Sequence, residues 1–136
     1  LARAQHIEQR AARLGRVVPI LVEINVAREP AKSGFPPDAE SLEALARSIA
    51  GMEHLALRGL MTMGPASGDP RESRPYFART RALLDHLKSL ELPSTSPDIL
   101  SMGMSDTYQV AVEEGATMVR LGTLIFGPPS CAIARA

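Results

Sequence analysis

The segment Asp98-Ile-Leu-Ser-Met-Gly-Met-Ser-Asp-Thr-Tyr-Gln-Val-Ala-Val-Glu-Glu-Gly-Ala-Thr-Met-Val-Arg-Leu-Gly-Thr123 decides the fold. Its opening, residues 98–102, reads as a short strand. Gly103 then permits a tight turn and a close backbone approach. Residues 106–114 read as a short helix that Asp106 or Ser105 can cap and that Gly115 stops. Residues 117–126 contain the next strand. Strand, turn, helix and strand in that order make a β-α-β unit, with parallel strands and a right-handed crossover.

The same alternation extends towards the N-terminus. Residues 72–90 read as a helix with Phe77, Thr80, Leu84 and Leu87 along one face, and the prolines at 93 and 97 break the chain after it. Residues 57–63 read as a strand, followed by a loop over 64–70. Asp38 can cap a helix whose inner face is Leu42, Leu45, Ala46 and Ile49 and which ends before Gly51. The prolines and glycine of residues 27–37 mark a loop. Residues 17–26, rich in β-branched side chains and apolar on both faces, read as a buried parallel strand. Ala4, Ile7, Ala11 and Leu14 form a helical stripe over residues 1–14, with Gly15 as its stop.

The order α-β-α-β-α-β-α-β implies a parallel sheet, either doubly wound and open or a stretch of a (β/α)8 barrel. A full barrel takes about 250 residues, and the chain has 136. Four strands are therefore about half a barrel. The chain opens directly on a helix, without Met or a signal peptide, and is expected to be the C-terminal half of a longer barrel domain, with residues 128–136 an irregular tail. The first and last strands would then expose unpaired edges, a route to self-association.

Composition narrows the function classes. Hydrophobic residues are 45%, enough for a core, and the 15 basic and 15 acidic side chains cancel. That balance argues against nucleic acid or an anionic membrane as a partner. No apolar run is long enough to span a bilayer. The single cysteine, Cys131, forbids an internal disulfide and points to a reducing, cytoplasmic setting. His6, His54 and His86 are scattered without metal-ligand spacing.

Chemistry in such barrels gathers at the C-terminal ends of the strands, and a phosphate site commonly lies between the last two loops. Ser101-Met-Gly-Met-Ser105 and Gly122-Thr123 end adjacent strands on that edge. Their amides and hydroxyls can converge on one anion, although the first segment also reads as a strand end with a helix cap. Strand alternation places Met118, Arg120 and Gly122 on one face. An inward arginine needs an acceptor, either a ligand or a salt bridge to another strand, with Glu23 a candidate.

These residues resemble a known family. Ser101-Met-Gly-Met-Ser105, followed by Gly115-Ala-Thr-Met-Val-Arg-Leu-Gly-Thr-Leu-Ile-Phe-Gly127, is similar to the C-terminal signature of the pyridoxal 5′-phosphate (PLP) homeostasis proteins, the YggS-like or proline synthetase co-transcribed family. Gly59-Leu-Met61 resembles its sixth strand, Ile24-Asn25 with Lys32-Ser-Gly34 its fifth strand and following loop, and residues 77–87 the helix between strands six and seven. The resemblance covers residues 17–127. It implies the last four strands of a barrel like the N-terminal domain of alanine racemase. It implies PLP as cofactor and a role in carrying or buffering it without catalytic turnover. Carried over by position, Ser101, Met102 and Gly103 would bind the phosphate with Ser105, Gly122 and Thr123, while Arg120 would face the pyridine nitrogen.

Three departures stand out. The family attaches PLP through a lysine on the first barrel strand, which this chain lacks; its lysines are Lys32, matching a family loop residue, and Lys88, on a helix surface. Thr107 replaces a common Asp, and Pro129 a common Arg. Asn25, Met61, Met63, Met102 and Met104 are candidates for lining or filling the barrel. A PLP enzyme of the racemase fold type, or a fragment that no longer binds the cofactor, are the other readings.

Overall fold

A computed structural model describes residues 1–65 and 69–128. Four strands, β1 (Val18–Glu23), β2 (Leu55–Met61), β3 (Thr95–Met104) and β4 (Met118–Arg120), form one parallel sheet in sequence order. Helices α1 (Ala2–Arg13), α2 (Ala39–Ala50), α3 (Arg74–Ser89) and α4 (Tyr108–Glu113) alternate with them, and a short turn of helix, α5 (Thr123–Phe126), follows β4. Parallel strands in sequence order are what the alternation predicts, and they are arranged as consecutive staves of a barrel. Pro129 and Cys131, and the tail from residue 129 onward, lie outside the described residues.

One face of the sheet is closed by helices. Leu57, Leu60, Leu100 and Met102 from the strands pack with Leu42, Ala46 and Ile49 of α2 and with Phe77, Leu84 and Leu87 of α3. Asp38 caps α2 as expected, accepting the Ser41 amide at 2.8 Å. Leu14 corrects the α1 stripe: it is 72% exposed and forms the C-cap, so the buried anchor of this helix is Ala11.

Residues 93–97 also correct the reading. β3 begins at Thr95, so Pro97 lies inside a strand. The β2–β3 register shifts between Leu57 and Gly59, and Pro97 falls opposite that irregularity, where its missing N–H removes no ladder bond. Arg58 bridges the gap, donating to the Ser96 carbonyl at 3.2 Å and in a fork to the Asp98 carboxylate. Gly59 has no room for a side chain: a Cβ there would lie 1.9 Å from the Ile99 carbonyl oxygen.

The strand ends differ from the apolar runs. β1 stops at Glu23 because the loop after it folds back: the Phe35 amide donates to Glu23 O at 2.7 Å, and the Asn25 amide to Phe35 O at 3.0 Å. The Asn25 side chain holds that loop together through Glu29 and Lys32. β2 ends at Met61, so Thr62 and Met63 lie beyond it. β1 and β4 are the sheet edges, and beyond β4 the side chains of Leu124, Ile125 and Phe126 are 57%, 64% and 85% exposed.

The sheet–helix core should dominate stability. Leu100→Ala, at a fully buried site, is expected to cost about 2–5 kcal/mol in urea unfolding, whereas Leu124→Ala, on the exposed turn, should change it by less than about 0.5 kcal/mol.

Candidate functional site at the strand ends

The C-terminal ends of β3 and β4 border a cavity of about 520 Å³ lined by Met104, Ser105, Asp106, Arg120, Leu121, Gly122 and Thr123. Of the residues expected at the site, Ser105, Arg120, Gly122 and Thr123 come together here. Ser101, Met102 and Gly103 do not line it, and each has another partner. Met102 is fully buried in the sheet–helix core. Gly103 backs onto α4, where a Cβ would approach the Ala111 methyl to 2.5 Å, so the glycine sets how closely that helix packs. Ser101 is 2% exposed, and its hydroxyl accepts from Arg120 at 2.6 Å.

Neither Ser105 nor Asp106 caps α4. Thr107 is the N-cap residue, and its hydroxyl accepts the Met104 amide at 3.1 Å. The Ser105 hydroxyl instead reaches across to the next loop and accepts the amides of Gly122 at 3.2 Å and Leu124 at 3.1 Å. One serine thereby joins the two strand-end loops. Between those amides, Thr123 lines the cavity, and its N–H and hydroxyl have no hydrogen-bond partner among the described residues. Asp106 is exposed on the same rim and sets a carboxylate against any bound anion.

Arg120 lies over the sheet face opposite the helix-packed core. Nη1 donates to the carbonyl and hydroxyl of Ser101 at 3.2 and 2.6 Å, and Nη2 to the carbonyl of Thr62 at 3.0 Å. All three acceptors are neutral, and among the described residues Arg120 forms no ion pair. Burial pulls its pKa down, and the nearby charge of Glu23 acts in the opposite direction. Glu23 thus acts on Arg120 through space and not as the salt-bridge partner that the sequence left open. A held guanidinium without a carboxylate suits a ligand that is anionic or has a lone-pair acceptor.

Lys32 stands apart from this cavity. Its Nζ donates to Glu29 Oε1 at 2.8 Å and to the Gly64 carbonyl at 3.0 Å. His54 Nδ1 lies 2.9 Å from Glu8 Oε1, a contact that ties α1 to the start of β2. Among the described residues no three His, Cys, Asp or Glu side chains gather to hold a metal ion, and no helix is long and apolar enough to cross a membrane.

A run of parallel β/α units with an arginine-backed cavity at the strand ends defines a class of α/β barrel domains. This chain belongs to the alanine racemase N-terminal domain family, whose sequence profile matches residues 1–129. It is 41% identical over 127 residues to the pyridoxal phosphate homeostasis protein of Aquifex aeolicus, covering 91% of this chain and 53% of that protein. It is 42% identical over 108 residues to the protein of the same name from Pasteurella multocida, covering 79% and 45%. The chain spans about half the length of the curated relatives it matches. The structure of PipY from Synechococcus elongatus with PLP bound superposes with a TM-score of 0.78 at 30% identity, over 93% of this chain and 57% of that one. An alanine racemase from Clostridium difficile superposes at 0.73 with 20% identity, over 98% of this chain and 36% of that one, a likeness of fold.

The sequence reading missed the linking role of Ser105. Its partners lie 17 and 19 residues away, beyond the reach of any local pattern. The Asp106 carboxylate should oppose anion binding. Asp106→Asn is therefore expected to tighten the affinity for inorganic phosphate about two- to fivefold at low ionic strength, an advantage that shrinks as salt is added; calorimetric titration of the two chains checks this.

Proposed function

We propose that this chain supplies the phosphate and ring-nitrogen contacts of a PLP-binding domain that carries or buffers the cofactor without turning over substrate. The observation that carries the reading is Arg120, a guanidinium fixed by neutral acceptors beside a cavity that also presents the Thr123 amide and hydroxyl. The relatives' name and the cofactor bound in PipY support the same ligand.

The donor set fits PLP. Thr123 offers its N–H and hydroxyl as donors to a phosphate, beside a Gly122 amide already held by Ser105. Ser105, by accepting from Gly122 and Leu124 on either side of Thr123, holds that loop against the end of β3. Ser101 and Met102, expected as phosphate contacts, serve in this reading as the support of Arg120 and as core filler, and Gly103 brings α4 close behind the loop. When bound, PLP supplies an aldehyde and an aromatic ring able to withdraw electrons. An arginine keeps its proton across the physiological range, so facing the ring nitrogen it donates a hydrogen bond and leaves that nitrogen unprotonated. An unprotonated ring withdraws electrons poorly, which suits a carrier more than a catalyst. The bonds of Lys32 to Glu29 and Gly64 direct it away from the cavity, so it is not proposed as an attachment point.

The test is equilibrium binding of PLP to the purified chain and to Arg120→Ala. Loss of a charged hydrogen-bond donor should weaken binding by roughly tenfold to a hundredfold, with the urea midpoint little changed. Equal affinity of the two chains would remove Arg120 from the site, and absence of PLP binding by the parent chain would overturn the function proposed.

A further inference from the structure

Thr62 lies one residue past β2 and is 1% exposed, yet each of its polar atoms is engaged. Its N–H donates to Ser101 O at 3.0 Å. Its hydroxyl donates to the Ile24 carbonyl at 2.9 Å and accepts the Gly64 amide at 3.4 Å. Its carbonyl accepts Nη2 of Arg120 at 3.0 Å. The residue thus touches the ends of β2 and β3, the chain just beyond β1, and the one charged side chain of β4.

The bond from Gly64 to the Thr62 hydroxyl closes a small side-chain turn around the peptide unit between residues 62 and 63. That unit carries the carbonyl on which Arg120 rests. The hydroxyl, anchored on Ile24, fixes the orientation of that unit, and the Thr62 N–H, in the peptide unit before it, is anchored on Ser101. Gly64 in turn offers its carbonyl to Lys32. A continuous series of hydrogen bonds runs from Lys32, in the loop after β1, through Gly64 and Thr62 to Arg120.

We propose that Thr62 is a positioning residue: its hydroxyl orients the carbonyl that aims the Arg120 guanidinium, and so links the loop after β1 to the side chain that faces the ligand. What Arg120 faces rests on the PLP reading above; the positioning itself does not. A purely structural Thr62 would lower stability when altered but leave Arg120 as it is. A positioning Thr62 changes both.

The experiment compares the parent chain with Thr62→Val, which keeps the shape and deletes the hydroxyl, and Thr62→Ser, which restores it. The first readout is the side-chain ¹H–¹⁵N NMR signals of Arg120, whose dispersion and slow guanidinium rotation report its restraint without any ligand. The second is the affinity for 4′-deoxypyridoxine 5′-phosphate, which has the ring and phosphate but no aldehyde. Thr62→Val should release the Arg120 signals and weaken binding roughly three- to tenfold, and Thr62→Ser should recover both. Arg120 signals unchanged in a folded Thr62→Val chain would overturn the proposal. Should that variant fail to fold, Lys32→Met, at a partly exposed position, removes the far end of the series. A shift of the Arg120 signals then supports the coupling, and parent-like signals overturn it. If the signals respond as expected while the parent chain binds no 4′-deoxypyridoxine 5′-phosphate, the PLP reading fails and the positioning role stands.

Discussion

A guanidinium laid across the ends of parallel strands has to find acceptors there, and the top of this sheet is organised around that need. Arg120 comes from the short edge strand β4, yet its bonds reach Ser101 on β3 and Thr62 beyond β2. Arg120 is half-buried, and its partial burial penalises a charge left without acceptors. The strand ends must therefore keep the register that brings two carbonyls and a hydroxyl together. Thr62 passes this constraint on to the chain beyond β1 through Ile24, and Ser105 passes order on to the loop after β4.

The opposite face of the sheet makes that arrangement affordable. Leu57, Leu60, Leu100 and Met102 are buried under α2 and α3, where apolar burial is worth about 25 cal/mol per Å². Gly59 lets β2 and β3 approach, and Gly103 lets α4 approach β3. One face thus holds the fold while the other is free to carry polar chemistry. The division follows from alternation along each strand: Leu100 and Met102 point into the core, and Ser101 between them points towards Arg120.

Much of this was legible in the residues. Helical stripes, strand runs and glycine stops at Gly15 and Gly115 were enough to order the elements, and alternation along the last strand placed Arg120 on the same face as Gly122. What stayed hidden depends on contacts distant in the chain. Pro97 reads as a break because nothing local shows Arg58 filling the gap in the ladder. Ser101 and Ser105 look alike within one motif, but the first supports an arginine 19 residues on and the second joins two loops. Thr62 carries no motif at all; its importance comes from partners on three other segments. Thr123–Phe126 falls within the run that contains the last strand, yet it forms a turn of helix with Gly122 as its N-cap, after the short edge strand has ended at Arg120.

The central claim is that Arg120 meets the ring nitrogen of PLP and keeps it unprotonated. PLP labelled with ¹⁵N in its ring, bound to the chain and observed by NMR, reports that protonation state directly. The account predicts the chemical shift of an unprotonated pyridine nitrogen at neutral pH, moving when Arg120 is replaced by Ala. A shift characteristic of a pyridinium, or one indifferent to Arg120, would contradict it.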